Sequence, residues 1–252
     1  LIKLAASLQR TKQIRRAQLY LAEGIHLTEE ALRSPVEIVH AFVKEEPKGE
    51  VRVLWDQLEA RGVVCSLVPM RLIEKICDAK TPQGIVLMLR LPEAEPHLRS
   101  DGNFLLLEAI QDPGNVGNMI RTAESFNFDG ILLCGMSAEP YSSKAVRSSM
   151  GSVFRLPVLY YNKVEEAAAA VKKAGLKLFT AELYKDSVFP EDLPGTGLCV
   201  AIGNEGRGIS AELSALADGT VRIPMSGKTE SLSAPCAAAI LLWEIFRKGA
   251  KS

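Results

Sequence analysis

Residues 104 to 126, FLLLEAIQDPGNVGNMIRTAESF, contain an apolar strand that breaks at Asp112-Pro113-Gly114 and a helix that follows the break. The same order returns twice later in the chain. The strand LCVAIG ends at Gly203 and leads into NEGRGIS, and TVRIPM leads through Ser226-Gly227 into a helix of small residues. Parallel strands place their carboxyl ends at one edge of a sheet, where the ligands of open α/β sheets bind. These three polar, glycine-containing strand ends therefore predict a ligand cleft.

The composition is that of a folded protein without a strong charge of either sign. The chain has 252 residues, of which 47% are hydrophobic, and 30 basic residues balance 30 acidic ones. A chain of this length buries one large or two moderate cores, so we expect two domains. Because the basic and acidic charges cancel, a polyanionic partner must be bound by local basic patches.

The cysteines and histidines show no spacing typical of a metal site. The cysteines are spread singly, and we expect buried, reduced thiols of a cytosolic protein. They are Cys65, Cys77, Cys134, Cys199 and Cys236. The histidines, His26, His40 and His97, lie far apart in the sequence. The sequence therefore predicts no metal site.

The start of the chain and its apolar runs bear on its location. The printed chain begins at Leu1, as a fragment or a processed product would. No apolar run approaches the length that spans a bilayer, and no segment resembles a signal peptide. We therefore expect a cytoplasmic protein.

The first 90 residues are expected to form a small α/β domain. Short strands alternate with short helices, as in IHLTEEALRS, where Thr28 is a candidate N-cap, and the following strand VEIVHAFV. Between residues 91 and 103, prolines and mixed charges replace the apolar periodicity, which indicates a linker.

A cationic segment, LIKLAASLQRTKQIRR, opens the chain. On a helix it presents a cationic face, with Leu4, Leu8 and Ile14 turned inward. Taken alone, such a segment is usually an ordinary solvated helix. Its basic residues are Lys3, Arg10, Lys12, Arg15 and Arg16.

Residues 104 to 252 predict the second domain. Continuous apolar strands such as GILLCGM and LCVAIG are separated by helices such as VEEAAAAVKKAG. Strands of this kind belong to a mostly parallel sheet that helices cover on both faces. The predicted cleft lies in this domain.

Two nucleotide-binding patterns are present only in part. The dinucleotide fingerprint needs G-x-G-x-x-G and an acidic residue at the end of the next strand, but here that strand ends in Cys134-Gly135-Met136, with no carboxylate before Glu139. A phosphate-binding loop ending in Gly227-Lys228-Thr229 needs glycine where Arg222 stands. A nicotinamide-dependent oxidoreductase and an ATPase are therefore weak alternatives.

The polar residues of the strand ends have ordinary explanations when each is taken singly. Asn115 follows a Pro-Gly turn and suits a helix N-cap. Arg121 with Glu124 suits a solvated ion pair, and Glu205 suits a loop carboxylate beside a helix start. Only their combination is specific.

The combination resembles the SpoU/TrmH family of RNA ribose 2'-O-methyltransferases, members of the SPOUT superfamily. The family's three motifs occur here in order and at the family's spacing across residues 104 to 247. The matched residues are Asn115, Gly117 and Arg121 for the first motif, Ile202–Gly206 for the second, and Ile223-Pro224-Met225 with Ser231-Leu232 for the third. An alanine-rich helix follows the third motif, as in the family.

The resemblance implies both the fold and the reaction. The C-terminal domain would be a trefoil-knotted, mostly parallel sheet, and the N-terminal domain a small ribosomal-protein-like α/β unit that binds RNA. The activity would be the transfer of a methyl group from S-adenosylmethionine to a ribose 2'-hydroxyl in structured RNA, more often rRNA than tRNA, without a metal. Because Ser233 stands where the family usually has asparagine, a catalytically weakened relative that only binds RNA is the alternative.

The resemblance also assigns roles to single residues. Arg121 would activate the ribose hydroxyl, and since arginine stays protonated we hypothesise that it acts together with the substrate phosphate. Asn115 would hold Arg121 or that phosphate, Glu205 would fix the cofactor loop, and Ser231 would help to close the pocket. The expected cofactor-binding residues are Thr180, Ala181, Gly203, Ile223, Met225 and Leu232.

RNA contacts and dimerisation complete what the resemblance implies. Family members form homodimers through the methyltransferase domain and share their sites across the dimer. By position, we expect RNA-binding residues at Arg10, Lys12, Arg15 and Arg16, and at Arg147 from the neighbouring subunit.

Overall fold

The computed structural model of the chain describes residues 1–93, 97–184, 186–227 and 231–250. Its strands are β1 (Leu19–Glu23), β2 (Ile38–Lys44), β3 (Cys65–Val68), β4 (Ile85–Arg90), β5 (Asn103–Glu108), β6 (Gly130–Cys134), β7 (Val158–Tyr160), β8 (Lys177–Ala181), β9 (Leu198–Ile202) and β10 (Gly219–Val221). Its α-helices are α1 (Ile2–Ser7), α2 (Thr11–Ala17), α3 (Ile25–Arg33), α4 (Glu50–Ala60), α5 (Met70–Ile76), α6 (Pro113–Ser125), α7 (Ser143–Ser149), α8 (Val164–Lys173), α9 (Ala211–Leu216) and α10 (Ala234–Gly249). Within the described ranges, no helix combines the length and the apolar character of a membrane-spanning segment.

The chain forms two compact units that do not follow sequence order. Unit 1 comprises Leu1–Ala94 and Glu139–Arg155, and unit 2 comprises Glu95–Ala138 and Leu156–Ser252. Helix α7 therefore belongs to unit 1, although its sequence lies within the range expected for the second domain. Residues 94–96 of the expected linker lie outside the described residues.

Unit 1 is built on a four-stranded sheet in the order β1-β4-β2-β3. Strand β4 pairs antiparallel with β1 and β2, and β2 pairs parallel with β3. One face of the sheet packs with α1 and α5 in a core that includes Leu8, Phe42 and Ile73. Tyr20 points to the opposite face because side chains alternate along β1, and its ring lies 4.9 Å from that of Tyr141. The Glu139–Arg155 segment is thereby packed onto β1.

The structure corrects two sequence predictions in unit 1. Residues 1 to 16 form two helices rather than one, because Arg10 has an extended backbone, and Leu4 is exposed although Leu8 and Ile14 are buried as predicted. Thr28 is not an N-cap. Helix α3 begins one turn earlier, after Gly24, whose φ of 99° suits glycine, and the buried Thr28 hydroxyl donates to the Gly24 carbonyl at 2.8 Å.

Unit 2 contains a six-stranded sheet in the order β10-β8-β9-β5-β6-β7, and all of its pairs are parallel. Alternating side chains serve opposite faces of the sheet. Leu106 and Ala201 join the core that includes residues of α8 and α9, which leaves Leu105 and Val200 for the other face, where α6 and α10 pack together. The predicted parallel sheet with helices on both faces is confirmed.

The order of strands reverses between β5 and β9. Strands β6 and β7 follow on one side of β5, whereas β9, β8 and β10 lie on the other. Ligands of open α/β sheets bind beyond the carboxyl ends of the strands at such a reversal. The trefoil knot implied by the resemblance stays a prediction.

Candidate functional site

A cavity of about 500 Å³ lies in unit 2 at the carboxyl ends of β8, β9 and β10. This volume is typical of a site for a small molecule. The strand ends contribute Ala181, Ile202 and Val221 to its lining, and the segments that follow each strand complete the walls. The predicted cleft therefore forms from the second and third strand ends, and the first strand end reaches it through hydrogen bonds.

A loop at residues 203–208, called here the glycine loop, lines one side of the cavity. Asn204 and Gly208 exchange two backbone hydrogen bonds, of 3.0 and 2.8 Å. The side-chain carbonyl of Asn204 accepts from the N–H groups of Gly206 and Arg207, and its Nδ2 donates to the carbonyl of Ala109 at 2.8 Å. One side chain thus shapes the loop and ties it to the end of β5.

Gly203 is required by the close approach of backbone within the glycine loop. A Cβ atom at this position would lie 2.2 Å from the carbonyl carbon of Gly208 and 2.3 Å from the nitrogen of Ile209. At Gly206 the nearest atom to such a Cβ is 3.7 Å away, which is an ordinary contact. Only the first of these two glycines is needed for the loop to close.

Asn115 and Glu205 join α6 to the glycine loop. Asn115 Nδ2 donates to Glu205 Oε1 at 3.0 Å, and the N–H of Gln111 donates to the other carboxylate oxygen at 3.4 Å. Burial raises the pKa of Glu205, but the hydrogen bonds from Asn115 and from backbone N–H groups outweigh it, so the pKa lies below its ordinary value. Asn115 is not the helix cap, because Asp112 takes that place and accepts from the N–H of Gly114 at 2.6 Å.

Arg121 lies on an exposed face of α6, outside the lining of the cavity. It follows Asn115 by six residues, which turns it about 120° around the helix axis. Among the described residues its guanidinium has no hydrogen-bond or ion-pair partner. The structure therefore brings Asn115 and Glu205 together, whereas Arg121 lies on another side of α6 and outside the cavity lining.

Most of the expected cofactor-binding residues share the cavity. They are Ala181, Gly203, Ile223, Met225 and Leu232, joined by Ser231 and Glu205. Thr180 is fully buried on β8 and lies behind the wall. The observed strand is shorter than the predicted strand TVRIPM, because it ends at Val221. Ile223 and Met225 therefore lie beyond the sheet, where they form an apolar wall of the cavity. Apolar side chains opposite the polar backbone of the glycine loop fit the adenosyl group of S-adenosylmethionine.

Sequence reasoning missed two residues of this site, Asn204 and Glu182. Asn204 lies within the second motif, but its importance rests on three hydrogen bonds that a motif does not encode. Glu182 lines the cavity, and its Oε1 accepts from the Thr180 hydroxyl at 2.6 Å. A signal was present, since Glu182 is the first carboxylate after the strand LKLFTA.

The candidate RNA-binding residues of unit 1 fall into two groups. Arg10, Lys12 and Arg16 are exposed at α2. Arg15 is half-buried and contacts both carboxylate oxygens of the buried Glu139, at 2.7 and 3.0 Å. The first group is available to a polyanion, whereas Arg15 binds the second segment of its own unit.

Arg147 also forms ion pairs within unit 1. Its guanidinium lies 3.4 Å from Glu23 and 2.7 Å from Asp78. The Glu23 carboxylate is buried at the end of β1 and also accepts from the N–H groups of Asp78 and Ala79. Removing Arg147 would leave a buried charge short of a partner, so this arginine has a structural role in the unit.

The cysteines are free, and three of them are buried as expected. Burial raises the pKa of Cys77 and of Cys134 to about 12. Cys65 is partly exposed and Cys236 is exposed on α10, so the expectation of burial was wrong for these two. In the part of the chain that the structure describes, no group of three or more His, Cys, Asp or Glu side chains is arranged to hold a metal ion.

Both parts of the sequence match known protein families. Residues 102–243 match the SpoU rRNA Methylase family. Residues 21–94 match the domain described as RNA 2'-O ribose methyltransferase substrate binding.

Individual relatives align over nearly the whole chain. RlmP of Bacillus subtilis, a 23S rRNA (guanosine(2553)-2'-O)-methyltransferase, is 32% identical over 243 residues, which are 96% of this chain and 93% of that protein. The crystal structure of an AdoMet-bound rRNA methyltransferase from Sinorhizobium meliloti matches with a TM-score of 0.86 and 28% identity, over 98% of this chain and 94% of that one. The SpoU methyltransferase AviRb from Streptomyces viridochromogenes, in complex with AdoMet, shares the fold with a TM-score of 0.89 at 24% identity, over 100% of this chain and 98% of that one. The predicted order of a substrate-binding domain and an α/β methyltransferase domain is thereby confirmed, and the chain belongs to the SpoU rRNA methylase family.

Proposed function

We propose that this chain transfers a methyl group from S-adenosylmethionine to the ribose 2'-hydroxyl of a nucleotide in ribosomal RNA. The observation that carries the proposal is the single cavity that gathers the second and third motifs, with the first motif tied to it through Asn115 and Glu205. The names of relatives favour rRNA over tRNA. Besides RlmP, a 23S rRNA (uridine(2479)-2'-O)-methyltransferase of Streptomyces viridochromogenes is 32% identical over 192 residues. Because these two relatives are bacterial proteins, we propose the cytoplasm as the place where this chain works.

The cavity supplies the binding site for the methyl donor. S-adenosylmethionine carries a methyl group activated by its positive sulfur. Ile223, Met225 and Leu232 provide apolar surface, and the glycine loop provides N–H and carbonyl groups. The ionised Glu205 carboxylate, held by Asn115, keeps the loop in position.

Arg121 acts on the RNA. A ribose hydroxyl is a poor nucleophile and must lose its proton, here to the neighbouring phosphate or to water, as its oxygen takes the methyl group and S-adenosylhomocysteine is released. A guanidinium paired with the neighbouring phosphate orients the hydroxyl and stabilises the negative charge that develops on its oxygen. The exposed position of Arg121, without a partner among the described residues, leaves its charge available for this role.

Binding of the RNA begins at the N-terminal domain, residues 1–90, and methyl transfer takes place in residues 104–252. Arg10, Lys12 and Arg16 are exposed cations at α2, where they can contact phosphate groups. Phosphate contacts supply much of the affinity for a nucleic acid and make it dependent on salt.

The working molecule is a homodimer formed through α6 and α10. Helix α10 is apolar on most of its circumference, as a buried helix is, yet Trp243 remains 47% exposed. Trp243 forms a cluster with Phe126 and Phe246, with ring centroids 5.7 to 6.1 Å apart. Exposed apolar clusters mark interaction surfaces. A second copy docked here covers the cluster and lets the exposed Arg121 of one protomer serve the cavity of the other.

Methyl transfer onto ribosomal RNA from cells that lack the gene tests the proposed function. With methyl-labelled S-adenosylmethionine, we expect the label in a single 2'-O-methylated nucleotide, detected as a phosphodiester bond resistant to alkaline hydrolysis. The Arg121→Ala variant is the control for labelling by contaminants. Label in a base would contradict the proposal. Binding of both cofactor and RNA without any transfer would identify a relative that only binds RNA.

A further inference from the structure

Glu182 places a carboxylate in the wall of the cavity at the carboxyl end of β8. Its backbone N–H continues the sheet by donating to the Val221 carbonyl at 2.9 Å. Its Oε1 accepts from the hydroxyl of Thr180, a residue with no exposed surface. The side chain is therefore fixed at both ends, by the sheet and by a buried hydroxyl.

The second carboxylate oxygen, Oε2, has no hydrogen-bond partner among the described residues. An ionised carboxylate accepts hydrogen bonds at both oxygens. Because Glu182 lines the cavity, its unused acceptor is available to a donor on the bound molecule. The neighbouring lining residues Ala181, Leu183 and Tyr184 offer no charged group that competes for it.

The position of Glu182 in the sheet indicates which donor it meets. Strand β8 lies next to β9, and β9 leads into the glycine loop. In parallel α/β sheets that bind nucleotides, an acidic residue at the end of the strand beside the glycine turn accepts hydrogen bonds from ribose hydroxyls. The dinucleotide pattern places this acidic residue on the strand that follows the glycine turn, and the strand that follows Gly114 carries none. Here the acidic residue follows β8, which precedes the glycine loop in the chain.

We infer that Glu182 is the acceptor for the ribose hydroxyl groups of S-adenosylmethionine, and that Thr180 positions it; this inference rests on the proposed function. Glu182 is then a specificity residue that selects a ribonucleoside ligand. Thr180 acts through Glu182 and does not touch the ligand.

Binding of 5'-methylthioadenosine and of its 2',3'-dideoxy counterpart, measured by calorimetry, tests the inference. These two probes share the adenine and the thioether, lack the sulfonium and amino acid of the cofactor, and differ only in the hydroxyls. We expect the wild-type protein to bind the dideoxy compound at least tenfold more weakly, as for the loss of a hydrogen bond to a charged group. The Glu182→Gln variant should lose about tenfold affinity for 5'-methylthioadenosine and none for the dideoxy compound.

Matched variants separate positioning from folding. Glu212→Gln, at an exposed carboxylate of α9, should bind both probes as the wild type does. Thr180→Val should reproduce part of the Glu182→Gln loss, and Thr180→Ser, which retains the hydroxyl, should restore affinity.

The binding results separate a failure of the role inferred for Glu182 from a failure of the proposed function. Equal binding of the two probes by the wild-type protein overturns the inference without any variant. A Glu182→Gln loss that is the same for both probes, or that appears for S-adenosylmethionine but not for 5'-methylthioadenosine, overturns it as well, since the carboxylate then serves the fold or the positive charges of the cofactor. Failure of the wild-type protein to bind S-adenosylmethionine at all would instead overturn the proposed function.

Discussion

At the scale of single residues, the glycine loop depends on the missing side chain of Gly203. In Gly203→Ala the new methyl group would lie 2.2 Å from the carbonyl carbon of Gly208, so the loop must open. We expect the free energy of unfolding to fall by about 1–3 kcal/mol, as for other overpacked sites. Urea denaturation measures the loss. Calorimetry with S-adenosylmethionine should show weakened binding, because the loop lines the cavity.

Gly206→Ala is the matched control in the same loop. Its methyl group would approach no atom closer than 3.7 Å, so the free energy of unfolding should stay within about 0.5 kcal/mol of the wild-type value. Equal losses in the two variants would show that the loop is sensitive to any substitution rather than to the closure at Gly203.

The Asn115–Glu205 hydrogen bond predicts a dependence of stability on pH. Because the pKa of Glu205 is lowered in the folded chain, its carboxylate stabilises the fold above its ordinary pKa of 4.5, and this contribution is lost as the pH falls through the lowered value. Asn115→Ala should therefore destabilise the protein by about 0.5–1 kcal/mol near pH 7. The difference from the wild type should narrow between pH 5 and pH 3, when urea denaturation is repeated across that range.

Asn118→Ala is the control that separates loss of the Asn115–Glu205 hydrogen bond from the change in helix propensity. Asn118 is exposed on the same helix, and its replacement brings the same gain in helix propensity as that of Asn115. We expect its effect to be independent of pH between 3 and 7. A pH-independent effect of Asn115→Ala would contradict the assigned hydrogen bond.

At the scale of the element, α2 carries cations that the fold does not use. Leu8 and Ile14 are buried, so deletion of residues 1 to 16 would damage the core of unit 1. Replacing the exposed basic side chains by neutral ones is therefore the cleaner test. Replacing Arg10, Lys12 and Arg16 by Gln should weaken RNA binding. If each contacts one phosphate, the slope of log affinity against log salt should become less steep by about 2 to 3. Filter binding at several salt concentrations measures this slope.

The control removes the same charge elsewhere in unit 1. Lys48, Arg52 and Arg61 lie at or beside α4 and are exposed. Their replacement by Gln should leave the slope unchanged. If the α2 variant and the α4 control variant reduce the salt dependence of RNA binding equally, the N-terminal helices are an ordinary solvated surface. The RNA is then bound by the overall charge of the unit.

The sequence predicts the helices and strands whose positions follow from the local spacing of apolar residues. The parallel strands around FLLLEAI and LCVAIG were predicted correctly, because fully buried strands are continuous apolar runs. Helix caps were not, since Gly24 and Asp112 define the starts of α3 and α6 through backbone conformation and one short hydrogen bond. The motifs located about half of the residues that line the cavity. They could not locate Glu182, because its strand, β8, precedes β9 and the glycine loop, whereas the dinucleotide pattern places the acidic residue on the strand that follows the glycine turn.

At the scale of the whole molecule, the position of Arg121 is the feature that led us to propose a homodimer. Within the chain Arg121 is turned away from the Glu205 side of α6 and lies outside the cavity lining. A second copy of the chain would let it reach a cavity.

The surface proposed for the second copy lies on α6 and α10. These two helices pack together, and Trp243 of α10 forms part of the exposed aromatic cluster. Trp243→Glu should therefore convert a dimer into monomers in sedimentation experiments, whereas Val53→Glu, at a 55% exposed site in unit 1, should not.

Mixed dimers distinguish an arginine that acts across the interface from one that acts within its own protomer. Arg121→Ala and Glu205→Ala homodimers should both be inactive in methyl transfer. In a purified heterodimer of the two, an arginine acting in trans combines with the intact loop of the partner, so one of two equivalent sites is complete and about half of the wild-type activity returns. An arginine acting in cis leaves one substitution in each site, and the heterodimer stays inactive. Recovery of activity therefore requires both a dimer and a shared site, because neither variant chain contains a complete set of these groups.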